Sequence, residues 1–439
     1  MTAASQTVDT AAVDTVAVVP HGTDRPSRRG LAAYGLLGAP LAMMALPVYV
    51  LVPKFYFEAT GLALSIIGAV LLITRLADAF VDPFLGAWVD RAKRRGSYLR
   101  PVLIAMPPLA LGFVLMFLPP DGLGPVAATA WLAVTLTAAY FGYSLASIAY
   151  QAWGAELAGN DHERARVTGW REGAGLLGVI AASIIPYALG APSLIALFLV
   201  LLAVALVLLV RLAPRPAARP YADAPGTLAS ITLPLRTSRF RWLLAIFVAN
   251  GIAAAIPASL VLFFVADRLE LEARSGIFLA LYFIAGAASM PLWVRLAARL
   301  RLEAVWLLGM IAAVAGFVWA YGLGAGDFTA FALICMLSGI ALGADLALPP
   351  ALLARVIDDN RHTGHHEGAY FGLWNLANKL NLALAAGIAL PALELLGYTP
   401  GTRAPEALAS LSLAYALLPC LLKLVAAALL ATAWRTRRL

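Results

Sequence analysis

Apolar stretches of about 20 residues recur almost from one end of this chain to the other, with only short polar breaks between them. One such stretch fits a buried helix, but a dozen in succession leave too little polar surface to wrap them in a soluble globule. A hydrocarbon core about 30 Å thick takes roughly 20 residues of helix, so the pattern predicts an all-α, polytopic membrane protein. Composition agrees, with 62% hydrophobic and 13% charged residues among 439. Spans are expected at 31–52, 64–89, 101–119, 126–153, 170–189 and 192–211, then at 242–265, 275–297, 303–322, 328–353, 368–391 and 408–433.

The basic residues alternate along the chain. Arg28 and Arg29, the run from Arg91 to Arg100, Arg164 and Arg166, the stretch from Arg211 to Arg241, and Arg295 to Arg301 fall in tails and even-numbered loops. Odd-numbered loops hold few, among them Lys54, Arg268 and Arg403. By the positive-inside rule both termini are cytoplasmic, which requires an even number of spans. The net charge of +8 is therefore a topological signal and implies no nucleic-acid partner. The first 30 residues lack the layout of a removable signal peptide, so the first span is expected to be the insertion signal. Cys335 and Cys420 fall inside spans with no metal-ligand spacing around them.

The Pro/Arg-rich stretch from Leu212 to Phe240 reads as a cytoplasmic linker between two groups of six spans. The expected organisation is a tail at 1–30, a half at 31–211, a linker at 212–241, a half at 242–433 and a tail at 434–439. "FLGAWVDRAKRRGSYL" after span 2 and "PLWVRLAARLRLEAV" after span 8 form a weak internal echo. Two six-helix halves with a substrate site between them near the midplane is the major facilitator fold.

Charges inside spans mark the chemistry, because an ionised side chain at mid-membrane costs about 2.5–3.5 kcal/mol even on the permissive insertion scale. Span 2 carries Arg75, Asp78 and Asp82 on one helical face. Two carboxylates one turn apart call for a cation: either Na⁺, held by hard oxygen ligands, or a proton shared by a repelling pair. Otherwise Arg75 pairs with Asp78, and Asp82 braces the helix end. Span 11 aligns Trp374, Asn375, Asn378, Lys379 and Asn381, a polar stripe expected to face a cavity or a helix partner.

Three segments together resemble the glycoside-pentoside-hexuronide:cation symporters, the melibiose permease-like family of the major facilitator superfamily. They are "TRLADAFVDPFLGAWVDRAKRRGSYLRP", "AELAGNDHERARVTGWREGAGLLG" and "RVIDDNRHTGHHEGAYFGLWNLANKLNLALAAG". The resemblance implies that Asp78 and Asp82 are the cation-site carboxylates. It implies that Arg171 and Lys379 are the cavity cations, which pair with those acids in the unloaded state. It assigns the gate to Asp161, Glu163, Arg164 and Arg166, described as a loop, with Asp90 and Arg91 after span 2.

Departures from the family bear on cargo. Ala39 and Pro40 stand where sugar-transporting relatives carry a Lys-Asp pair, and Ser147 stands where they carry a further aspartate. Both losses remove acceptors for sugar hydroxyls, and the second leaves H⁺ and Na⁺ as equal candidates. Asp345 in span 10 is a new acid, either a cavity acceptor or a local partner for a neighbouring helix. Arg355, Asp358, Asp359, His362, His365 and His366 are assigned to the loop before span 11; the three histidines read as a solvated loop rather than a metal cluster.

The expectation is a secondary active symporter of a small organic solute, a sugar or glycoside by resemblance, with an anionic or lysolipid-like amphiphile as the alternative. A membrane-embedded transferase is the competing class, but no His-Asp pair lies within helical reach in the spans and no Gly-rich phosphate loop occurs. No cofactor beyond the coupling ion is implied, and the chain is expected to act as a monomer in the lipid bilayer. Arg-over-Lys usage and abundant Ala fit the inner membrane of a high-GC bacterium.

Overall fold

The computed structural model describes residues 26–216, 227–399 and 401–439. The expected tail at 1–30 and the centre of the expected linker thus lie largely outside the described residues. Helices are the only regular structure among those described, as hydrocarbon requires, since each backbone N–H and C=O must pair within its own segment. Helices α1 (Arg28–Gly35) and α2 (Gly38–Thr60) form the first span, which bends at residues 36–37. They are followed by α3 (Leu64–Arg94), α4 (Leu99–Met116), α5 (Pro125–Glu156), α6 (Asp161–Leu189) and α7 (Ala191–Leu212).

After the short α8 (Thr227–Arg236) come α9 (Ser238–Phe263), α10 (Ser275–Ala297), α11 (Leu302–Phe317), α12 (Phe328–Asp359) and α13 (Glu367–Leu395). Helices α14 (Pro405–Ser412) and α15 (Leu418–Arg435) join through a π-turn at Leu413–Leu417. A second π-turn, Phe264–Arg268, continues α9, and Phe264 stacks on Tyr415 with ring centroids 4.1 Å apart. Eight helical stretches among the described residues are long and apolar enough to cross a bilayer by length and composition alone.

Small residues set the spacing inside each half. Gly112 of α4 faces the Thr135 carbonyl and Ala139 of α5, while Gly142 of α5 faces Ala105 and Leu109 of α4. Without side chains at these two points the backbones approach closely, the usual source of helix association where lipid is as apolar as the protein. Arginines gather at one end of the bundle, hereafter the basic face, where α3, α10 and α15 end and α4, α6 and α9 begin.

Two expectations are corrected here. Asp161, Glu163, Arg164 and Arg166 are not a loop but the first turns of α6, whose start is fixed by Asn160: its side chain accepts from Glu163 N at 3.0 Å. Arg355, Asp358 and Asp359 likewise lie on α12, which runs through Asp359 because those charges find partners on neighbouring helices. Residues 227–236 of the expected linker form α8, which packs on α3, α9 and α13.

A side chain at Gly112 has no room, since its Cβ would stand 2.7 Å from the Thr135 carbonyl oxygen. Gly112→Val should therefore cost about 1–3 kcal/mol and lower the melting temperature of the purified protein by several degrees. Gly68→Ala, where nothing stands within 4 Å of the new Cβ, should leave it unchanged.

Candidate functional site

Helix α3 brings Arg75, Asp78 and Asp82 against α5 and α13 about midway along the bundle. The Lys379 ammonium of α13 sits between the two acids, 2.7 Å from Asp78 Oδ2 and 2.6 Å from Asp82 Oδ2. The ammonium also donates to Ser144 Oγ at 2.8 Å, and Ser144 donates onward to Asp78 Oδ1 at 2.6 Å. Arg75 adds a looser contact to Asp78 at 3.6 Å and stands 5.1 Å from the centre of the Tyr140 ring. Asp78, Asp82 and Lys379 are buried, and Asp82 Oδ1 has no hydrogen-bond partner. The arrangement can exchange an ammonium for a cation at two carboxylates, with the unpaired Asp82 Oδ1 as a further acceptor.

The approach of α3 to α13 depends on missing side chains. Gly86 and Gly368 lie backbone to backbone, and Gly372 rests on the Asp82 carbonyl. Beyond them Asp90 accepts from Gly368 N at 2.6 Å and from Ala369 N at 2.9 Å, so a carboxylate of the first half caps the N-terminus of a helix in the second. Further along the basic face, Arg164 of α6 meets Asp161 at 3.2 Å and Asp358 of α12 at 2.7 Å. Arg355 of α12 returns to Asp161 at 2.9 Å and is anchored by the buried Glu303 of α11. Gln151 of α5 donates to Asn375 of α13 at 3.3 Å. These contacts between halves run from the depth of Asp78 to the basic face, where the halves are closed together.

Several expected residues go elsewhere. Arg171 does not reach Asp78 or Asp82: its guanidinium is taken by Glu172 at 2.6 Å and 3.0 Å. Beside it Tyr34 and Tyr150 exchange hydroxyl-to-carbonyl bonds of 2.7 Å and 2.6 Å. With Gln151 and Thr168 it lines a cavity of about 10 Å³. Asp345 turns into its own half, to Lys423 at 2.6 Å, Trp306 at 3.0 Å and Asn250 at 3.2 Å. The span 11 stripe divides: Trp374 stacks on Phe247 at 3.7 Å, Asn378 is exposed, and Asn381 is buried against Gly251 with neither amide atom paired. Ser147 is buried one turn from Ser144. Arg91 is half-buried, and Arg166 makes no ion pair among the described residues.

The residues missed in sequence are Ser144, Glu172, Lys423 and Glu303. The expected solvated histidine loop is half-buried instead, with His362 Nδ1 2.8 Å from the Tyr370 hydroxyl and that hydroxyl 3.1 Å from Thr237 Oγ1. Among the described residues no group of three such ligands could hold a metal.

Residues 31–433 match the family described as MFS/sugar transport protein. The chain belongs to that family. It is 29% identical over 143 residues to the putative glycoside/cation symporter YagG of Escherichia coli K12, covering 31% of this chain and 30% of that protein. It is 29% identical over 163 residues to a putative sulfoquinovose importer of Salmonella typhimurium, covering 36% and 34%. These two matches thus span about a third of the relatives' length. A putative sulfoquinovose importer of Escherichia coli K12 aligns at 26% over 420 residues, 90% of this chain and 88% of that protein.

Among solved structures, a bacterial homologue of the iron transporter ferroportin in an outward-facing state superposes with a TM-score of 0.66 at 17% identity, covering 91% and 99% of the two chains. The transporter FucP in the outward conformation gives 0.67 at 12% identity, over 90% and 98%. The likeness confirms the major facilitator fold of a multi-pass membrane protein.

Two outcomes follow from this geometry. A Cβ at Gly86 collides with the Gly368 carbonyl, so Gly86→Val should hold the basic face open. Spin labels at Arg95 and Arg361 should then lie farther apart than in the parent protein, whose cysteines are both buried. His366 has its pKa pushed down to about 4 by burial, then by His362, Arg94 and His365. The closed fold therefore holds it neutral, and the stability this gives is complete above pH 6.5 and lost as pH falls towards 4. Melting temperatures between pH 8 and pH 5 should fall less steeply in His366→Gln, by up to one proton's worth of slope.

Proposed function

We propose that this chain is a cation-coupled symporter of a sugar or glycoside, working by alternating access with H⁺ or Na⁺ as its ion. The observation that carries the reading is the Lys379 ammonium held between Asp78 and Asp82 across the two halves. An ammonium on two mid-membrane carboxylates supplies the positive charge that a bound cation can supply in its place. A proton or Na⁺ entering at Asp82 Oδ1 displaces it, loosens a tether between the halves and frees an N–H donor for substrate oxygens. Coupling follows, because substrate meets its donor only after the ion has bound.

The moving units are residues 31–211 and 242–433, joined by 212–241. On the positive-inside rule the basic face and both termini are cytoplasmic, so closure at that face is an outward-facing state, here of a bacterial inner-membrane protein acting as a monomer. Asp90, Asp161 and Arg164 then belong to the inside gate. The names of relatives, a putative glycoside/cation symporter and putative sulfoquinovose importers, support this class.

One observation favours an anionic variant of that cargo. Asp78 and Asp82 balance Lys379 and Arg75, so the arriving cation leaves the site one positive charge in excess. A negatively charged substrate restores neutrality through a charge-assisted bond to Lys379. Sulfoquinovose is a sugar of that kind.

Uptake into proteoliposomes tests the reading, with a neutral methyl glycoside and a sugar sulfonate as probes and an imposed H⁺ or Na⁺ gradient. Asp78→Asn and Asp82→Asn should each lower uphill accumulation at least tenfold while leaving a monodisperse, folded protein. If both variants concentrate substrate as the parent does, the coupling site lies elsewhere.

A further inference from the structure

At the basic face the first turn of α9 and the last turn of α15 lie side by side, since the two helices pack along their length. Arg241 from α9 and Arg435, Arg437 and Arg438 from the end of α15 are all exposed there, and Arg236 at the end of α8 is exposed beside them. None of the five pairs with a carboxylate among the described residues, and the first turn of α9 contains no acid. The adjacent Arg239 is already engaged with Asp359 at 2.7 Å. The Arg438 guanidinium rests 4.9 Å from the centre of the half-buried Trp242 ring, which ties the two helix ends together and orients one arginine.

At the gate on this face, by contrast, Arg164 has Asp161 and Asp358, and Arg355 has Glu303 and Asp161. The α9/α15 corner gathers four exposed guanidinium groups, without carboxylate partners among the described residues, at the ends of two apolar helices long enough to span a membrane. Trp242 and Trp434 provide the amphipathic rings that are enriched at membrane–water interfaces. Arginine forks match phosphate oxygens in pairs, and basic pockets between helix ends take anionic headgroups.

We propose that this corner is a binding surface for the phosphate headgroup of an anionic phospholipid, held by Arg241, Arg435, Arg437 and Arg438. Helix α8 lies between this corner and the α3–α13 seam, packing on both α9 and α13. The surface thus lies beside the segment that joins the two halves and is separate from the ion and substrate site.

The test is native mass spectrometry of the full chain equilibrated with equal amounts of phosphatidylglycerol and phosphatidylcholine. The parent protein should retain the anionic lipid at least tenfold over the neutral one. Each arginine contributes roughly fivefold, so Arg435→Gln/Arg437→Gln/Arg438→Gln should weaken retention by on the order of a hundredfold. Should that variant fail to fold, Arg241→Gln and Arg438→Gln singly should each show about the fivefold loss, and lysine at the same three positions should keep most of the preference. Equal loss in a control with Arg100, Arg295 and Arg299 changed to Gln would reduce the effect to the general charge of this face and overturn the proposal. So would competition by inorganic phosphate at the lipid's own concentration, or a parent protein with no preference between the two lipids.

Discussion

A membrane interior does not tolerate an unpaired charge, and this bundle is arranged around one ammonium and two carboxylates that satisfy each other there. Lys379 of α13 pairs with Asp78 and Asp82 of α3 and donates to Ser144 of α5, so the cluster joins three helices. Such short bonds demand that α3 and α13 cross almost backbone to backbone, which is why Gly86, Gly368 and Gly372 stand along the seam. The same crossing delivers the first N–H groups of α13 to Asp90. Ion site and closed face are thus two ends of one helix contact, and the geometry of either depends on the other.

The contacts holding the basic face shut differ in strength for physical reasons. Arg239–Asp359 is exposed on both sides and adds little, as surface pairs do. Arg164 is buried where it meets Asp358 of the other half, and Asp161 reaches across to Arg355, so separating the halves requires water or new partners to reach each group. A gate built this way opens as a unit, since exposing one buried charge makes solvating its neighbours cheaper.

Much of this was legible in the sequence because hydrocarbon punishes polarity. Span positions, the two halves, Asp78, Asp82 and Lys379 all follow from asking where a charge or an apolar run is costly. Ser144 was not legible: a serine in an apolar helix is ordinary, and only the crossing of α3, α5 and α13 gives it two ionised partners. Lys423 was within reach of the rule that found Asp345, had the last span been searched for a base to match the new acid. The start of α6 was also written in the chain as Asn160 followed three residues later by Glu163, an N-terminal cap in which Asn160 accepts from Glu163 N and the Glu163 carboxylate accepts from Gly159 N. Arg171 was assigned to the ion site on resemblance, but the adjacent Glu172 is closer and claims it.

The placement of the remaining intramembrane charges bears on what alternation can change. Asp345 and Lys423 lie in one half, with Trp306 and Asn250 of the same half completing the shell. A rigid-body movement of the halves leaves that pair intact, so it braces the second half and offers nothing to a passing ion. Arg171 and Glu172 are likewise neighbours on α6 and travel together. Lys379 alone among these buried cations bridges mid-membrane carboxylates of the opposite half. Any ion that takes its place both frees the ammonium and releases the halves, which on the symport reading makes the same displacement serve substrate recognition and movement.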